Sequence, residues 1–179
     1  MDAVGRRRLG GLGLAALVFA ADQLVKWLVV KVLLLASHGP VEIVPVFALR
    51  YAQNFGVSFS LLTANSVEMR WLLVAVTAAI AGGVLFWMLH EKARAEILAL
   101  GLVLGGALGN IWDRARDGYV TDYADLHFGE FRPFAIFNLA DAAISIGVVI
   151  ILARSFLSRE KPDDQTGGPA EDSGAPSES

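Results

Sequence analysis

Four long apolar stretches alternate with polar connections along the chain, at about residues 9–35, 71–89, 97–112 and 137–157. Crossing about 30 Å of hydrocarbon takes roughly 20 apolar residues in a helix that rises 1.5 Å per residue, so each stretch predicts a membrane-spanning helix. Polar residues interrupt the first stretch at Asp22, Gln23, Lys26 and Lys31. Side chains of that kind at membrane depth face the bundle interior, pair with one another or line a functional cavity. In the third stretch Gly101, Gly105 and Gly109 recur every four residues, which predicts a smooth helix face where a neighbouring backbone can approach closely. Residues 41–51 (VEIVPVFALRY) are β-prone with one proline, the pattern of short extended strands lying at the membrane surface. The expected fold class is an all-α membrane protein, four transmembrane helices with a small extracytoplasmic β-containing region. Its membrane domain covers residues 1–157, with outer connections at 36–70 and 113–136. Residues 158–179 lack apolar content and read as a disordered cytoplasmic tail.

Basic residues flanking the spans set the expected orientation. Arg6, Arg7, Arg8, Lys92, Arg94, Arg154, Arg159 and Lys161 fall on one side, Arg50, Arg70, Arg114, Arg116 and Arg132 on the other. The excess on the first side predicts both termini in the cytoplasm, and the even number of spans agrees. Arg6–Arg8 followed by an apolar run to Ala20 also fits a cleavable secretory signal. Against that reading, apolar character resumes at Leu24 and continues to Leu35.

Composition supports the bilayer and removes several chemistries. Of 179 residues, 55% are hydrophobic and 18% charged, with a mean hydropathy of +0.53; a soluble domain carries about a quarter charged residues. With no cysteine there is no disulfide, thiol nucleophile or thiolate metal site. No H-E-x-x-H occurs, which removes the usual zinc protease reading, and no metal or other cofactor is expected. The net charge is −3, its acidic part concentrated in the tail, so there is no basic footprint for nucleic acid. Trp27, Trp71, Trp87 and Trp112 lie in or near span ends, as interfacial anchors do.

The polar residues cluster on the outer side. Asn110, Asp113 and Arg114 share a helix face near the end of the third span. Val120-Thr121-Asp122-Tyr123-Ala124-Asp125 follows, then Phe137-Asn138-Leu139-Ala140-Asp141 at the start of the fourth span, while Asn54 stands in the first outer connection. Two carboxylates brought to one site cannot both ionise cheaply and tend to share a proton, leaving one as base and one as acid. Such a pair can activate water and protonate a departing amine. By spacing alone any two of Asp113, Asp117, Asp122, Asp125 and Asp141 qualify, and Asn138 and Asp141 on their own read first as a helix cap. Asp22 and Lys26, four apart, read as a structural ion pair, and Asp113 with Arg114 as pairing at a helix end.

Taken in order, Asn54-Phe55-Gly56 with Phe59-Ser60, Gly105 through Arg114 (GGALGNIWDR), Val120-Thr121-Asp122-Tyr123 and Phe137-Asn138-Leu139-Ala140-Asp141 closely resemble the lipoprotein signal peptidases, or signal peptidase II. The resemblance covers nearly all of residues 20–150. It implies an aspartic endopeptidase of the bacterial inner membrane that cleaves prolipoproteins before a cysteine carrying diacylglycerol, within membrane lipid, and that globomycin inhibits. By motif it implies Asp122 and Asp141 as the catalytic dyad, Asn54, Asn110, Arg114 and Asn138 around the substrate pocket, and Asp22 and Lys26 as scaffold. Thr121 and Tyr123 stand where Val and Phe are more usual, and Ser58 where Ala is common.

Two other classes compete. Asp22, Lys26, Asp113 and Asp141 also suit a small proton- or ion-conducting transporter, which would need carboxylates staggered through the bilayer. Gly56-Val57-Ser58-Phe59 mimics a rhomboid serine block, but serine catalysis needs a base within reach, and His38, His90 and His127 are poorly placed for that.

Overall fold

The computed structural model describes residues 2–56 and 67–158. Helix α1 runs Ala3–Trp27 and continues as a π-helical turn, Leu28–Val32; the short α2 spans Leu35–His38. Strands β1 (Val41–Val44) and β2 (Phe47–Asn54) precede α3 (Val67–His90), α4 (Arg94–Asp117), β3 (Val120–Leu126) and α5 (Leu139–Ser158). Among the described residues four helices are long and apolar enough to cross a membrane: Ala3–Val32, Val67–His90, Arg94–Asp117 and Leu139–Leu157. Their outward faces carry large apolar side chains, among them Ile80, Phe86, Val149 and Phe156 at 61–68% exposure, a surface that only lipid accommodates. All four tryptophans are exposed on the spans, as expected of interfacial anchors.

Helix α4 is the central strut, packed against α1, α3 and α5. Its glycines make this possible. A Cβ at Gly101 would lie 2.6 Å from the Gly11 carbonyl oxygen, and one at Gly105 would lie 2.5 Å from that of Ala15. Gly109 faces the Asp22 carboxylate, and Gly106 leaves room for the Ala140 carbonyl. The glycine repeat is therefore the α1 contact, with Gly106 opening the adjoining face to α5. Met88, Ile97, Leu100 and Leu104 fill the apolar core beneath.

The two ends of the bundle differ. At one end Arg7 and Arg8 donate to the carbonyls of Lys92 and Glu91 in the α3–α4 turn, and Arg154 of α5 pairs with Glu96 of α4 at 3.4 Å. At the other end β1, β2 and β3 form an antiparallel sheet in that order. Pro45 falls in the β1–β2 turn, where its missing N–H interrupts no ladder.

Several boundaries move from the expected ones. Helix α4 extends through Asp117, so Asp113 and Arg114 are helical rather than part of an outer loop, until Gly118 at φ +88° ends it. Helix α3 begins at Val67 and α1 at Ala3. The α-form of the first span stops at Trp27, and Leu34 adopts a left-handed turn at φ +49°. Strand β3 falls on a stretch read only as a polar block. Ser158 closes α5; the remainder of the expected tail and the Val57–Ser60 part of the first block lie outside the described residues.

Candidate active site

Register places the first aspartate. In the β2–β3 pairing Asn54 lies opposite Val120 and Ala52 opposite Asp122, which sets the Asn54 side chain diagonally beside Asp122. Its Nδ2 donates to Asp122 Oδ2 at 3.0 Å, while its Oδ1 accepts from the Gly56 N–H at 2.9 Å in a turn that Gly56, at φ +93°, makes possible.

The second aspartate is brought up by the chain leaving β3. Phe137 pairs with Ala124, donating to its carbonyl at 3.1 Å and accepting from Ala124 N at 2.8 Å, so the next residue, Asn138, stands beside β3. Asn138 caps α5: its Oδ1 accepts from Asp141 N at 3.0 Å, and Asp141 Oδ2 accepts from Asn138 N at 3.3 Å. The two other N–H groups that open α5 find partners elsewhere, Leu139 N on Tyr123 Oη at 3.1 Å and Ala140 N on Asp22 Oδ1 at 3.0 Å. The first turn of the helix that carries Asp141 is thus fastened by β3, α1 and its own cap, which meets the need for partners at a helix end.

Asparagines join the two carboxylates. Asn138 Nδ2 donates to Asp122 Oδ1 at 2.6 Å and to Asn110 Oδ1 at 3.3 Å, and Asn110 Nδ2 donates to Asp141 Oδ1 at 2.8 Å. Asp122 is 2% exposed. Burial raises its carboxyl, the amide donors of Asn54 and Asn138 pull it down and neighbouring Asp141 pushes it up again, leaving it at about 6. Arg114 adds positive charge: its guanidinium interacts electrostatically with Asp141, Asp122 and Asp113, and its buried Nε has no hydrogen-bond partner among the described residues.

Behind this layer lies a second one. Lys26 Nζ reaches Asp22 at 2.7 Å, Asp113 at 2.8 Å and Asn110 Oδ1 at 3.3 Å. Asp113 also accepts from Gln23 Nε2 at 2.8 Å and from the Thr121 N–H at 3.3 Å. Asp22, Lys26 and Asp113 therefore link α1, α4, β3 and α5. Gln23, read only as one of the polar interruptions of the first span, and Tyr123, read only as a departure from the family pattern, both contribute hydrogen bonds around the site.

Asp125, the rival by spacing, is committed elsewhere. It is fully buried between Arg50 Nε at 3.0 Å and Arg132 Nε at 3.2 Å. Burial alone would raise its carboxyl, but the two guanidinium groups outweigh burial and hold it below the usual range. Asp117 pairs with Arg116 at 2.7 Å on the surface. Among the described residues no group of acidic or histidine side chains is arranged to hold a metal ion.

Two grooves meet at the carboxylates. One of about 430 Å³ is lined by Gln53, Asn54, Phe55 and Asp122; the other, about 350 Å³ and chiefly apolar, by Phe134, Asp141, Ser145 and Ile146. Ala135 borders both.

Comparison with known proteins shows the family. The model of the family described as Signal peptidase (SPase) II matches residues 14–157. The chain belongs to the signal peptidase II family. It is 50% identical over 159 residues to the lipoprotein signal peptidase of Rhizorhabdus wittichii, covering 89% of this chain and 92% of that one. To the lipoprotein signal peptidase of Sphingopyxis alaskensis it is 49% identical over 162 residues, covering 90% and 94%. Its fold matches a bacterial membrane enzyme solved by the in meso method at 2.3 Å resolution, with a TM-score of 0.69 at 23% identity over 88% of this chain and 94% of the other. The ion-conducting alternative has no support: Asp22, Lys26, Asp113, Asp122 and Asp141 form one connected cluster at one end of the bundle instead of a staggered path.

Proposed function

We propose that this signal peptidase II family member, a multi-pass membrane protease that removes signal peptides from prolipoproteins, works by aspartic catalysis on Asp122 and Asp141. The peptidase domain is residues 1–157. The observation that carries the reading is the pair of carboxylates, one on a strand and one at a helix start, joined through Asn110 and Asn138 at the meeting of two grooves.

The two carboxylates share one proton in the catalytic cycle, and burial, which pushes the Asp122 carboxyl up to about 6, favours Asp122 as the member that takes it up. Asp141 accepts the proton of a water as that water attacks the scissile carbonyl, while Asp122 donates to the carbonyl oxygen. In collapse of the tetrahedral intermediate the leaving amine takes a proton back from the pair. The Asn54, Asn110 and Asn138 amides hold the two carboxylates in place, which pre-organises them in a poorly hydrated site. Arg114 steadies the negative charge that develops, and its unpartnered Nε is available to a peptide carbonyl of the substrate. The apolar groove beside Asp141 opens along α5 toward lipid and takes an acyl chain of the diacylglyceryl-cysteine or the signal segment.

The excess of basic residues at the end of the bundle opposite the sheet orients the protein with both termini in the cytoplasm of a bacterial inner membrane and the carboxylates on the extracytoplasmic side. Incubation of the purified chain in detergent with a diacylglyceryl-modified precursor, with the scissile bond mapped by mass spectrometry, tests the assignment. Cleavage just before the modified cysteine, blocked by globomycin and unaffected by Ser58→Ala, is expected. Cleavage that survives saturating globomycin, or that needs Ser58, contradicts it.

A further inference from the structure

At the bundle end remote from the carboxylates, a groove of about 400 Å³ opens between the starts of α1 and α4, lined by Ala3, Arg6, Arg7, Gly10, Arg94 and Leu98. Among the described residues three guanidinium groups border it and no carboxylate does. Every described acid nearby is occupied: Asp2 accepts from Gly5 N at 2.7 Å, Glu91 accepts from the N–H groups of Lys92 and Ala93 at 2.7 and 2.8 Å, and Glu96 pairs with Arg154. Arg7 is anchored by the Lys92 carbonyl at 3.0 Å, which fixes one guanidinium at the rim. Arg6 and Arg94 are exposed and have no ion pair among the described residues. The wall below is formed by Ala3, Gly10 and Leu98, and at Gly10 nothing among the described residues lies within 4 Å of where a side chain would begin, leaving open width beside Leu98.

We infer that this groove is a binding site for an anionic phospholipid, its phosphodiester held by Arg6, Arg7 and Arg94 and an acyl chain laid past Gly10 and Leu98. Uncompensated arginines at the edge of a span attract anionic headgroups, guanidinium groups bind phosphate oxygens through paired charge-assisted hydrogen bonds, and the groove continues the lipid-facing surface of α1. A rival occupant is the chain's own terminal segment, since residues 159–179 contain six acids and two basic residues. The apolar floor and the position at the lipid boundary favour the phospholipid.

Native mass spectrometry of the purified full chain in neutral detergent tests this with dioleoyl phosphatidylglycerol, dioleoyl phosphatidylcholine and inorganic phosphate as probes. The wild type should retain one phosphatidylglycerol in preference to phosphatidylcholine, and inorganic phosphate at matched concentration should not displace it. Arg6→Gln and Arg94→Gln should each weaken retention about fivefold and together about twenty-five-fold, whereas Lys92→Gln, outside the groove, leaves it unchanged. Equal retention of the two lipids by the wild type overturns the inference, as does displacement by phosphate. So does a preference for phosphatidylglycerol that appears only after the six acids of 159–179 are converted to amides, which would give the groove to that segment. If the arginine variants fail to fold, the wild-type lipid preference and Lys92→Gln still decide.

Discussion

Burial pushes the Asp122 carboxyl up from its ordinary 3.8 to about 6, and this shift has a stability consequence. A raised value in the folded state means that the folded chain holds the proton more tightly than the unfolded one. The resulting stabilisation is complete below about 3.8 and is lost as pH rises through about 6. At neutral pH the ionised side chain therefore strains the fold. We expect Asp122→Asn to raise the thermal midpoint at pH 7.5, with the gain shrinking at pH 5; thermal unfolding in detergent at the two pH values checks this, and a lower midpoint at pH 7.5 contradicts it. Asp125 behaves in the opposite sense. Its depressed carboxyl stabilises the fold above the ordinary carboxylate range, and Asp125→Asn should lower the midpoint at pH 7.5 by releasing Arg50 and Arg132. Spacing could not tell these two aspartates apart, because they stand three residues apart on one strand and differ only in what the fold brings to them: two asparagines in one case, two arginines in the other. The family resemblance chose Asp122, and the geometry adds that Asp125 is committed to Arg50 and Arg132.

Among the elements, α4 was the most legible and β3 the least. The four-residue glycine repeat announced a close helix contact, and the structure assigns it to α1. Gly101→Ala should destabilise by about 1–3 kcal/mol, because the new methyl meets the rigid Gly11 backbone. Gly82→Ala on α3, where a Cβ meets nothing within 4 Å among the described residues, should be neutral or stabilising. Comparison of the two thermal midpoints checks the pair; equal shifts would contradict the assigned contact. Strand β3 escaped notice because Val120–Leu126 (VTDYADL) carries two aspartates and is almost wholly buried, so it shows neither an apolar run nor the alternation of a half-exposed strand. Its partner β2 was recognised through VFALRY, which is β-prone on its own. The capping role of Asn138 and its place beside Asp122 turned out to be compatible: a cap fixes the side chain that also donates across to β3.

For the whole molecule, the four-span architecture was read from hydropathy because apolar length is a local property, whereas the polar network depends on contacts between residues up to 118 apart in sequence. The bundle is polarised, with the arginine-rich groove at one end and the carboxylates at the other. Because the chain has no cysteine, single cysteines report topology cleanly. A cysteine in place of Lys92 should be shielded from a membrane-impermeant thiol reagent added to intact cells, and one in place of Gly129 should react. The reverse pattern contradicts the orientation.

The central claim is that Asp122 and Asp141 act as one catalytic unit, and single-turnover cleavage of a diacylglyceryl-modified precursor by Asp122→Asn, Asp141→Asn and the double variant tests it most directly. Each single change should lower the cleavage rate by at least about a thousandfold, and the double variant should be no slower than either single one. A single variant that retains wild-type turnover, or losses that multiply in the double variant, would contradict it.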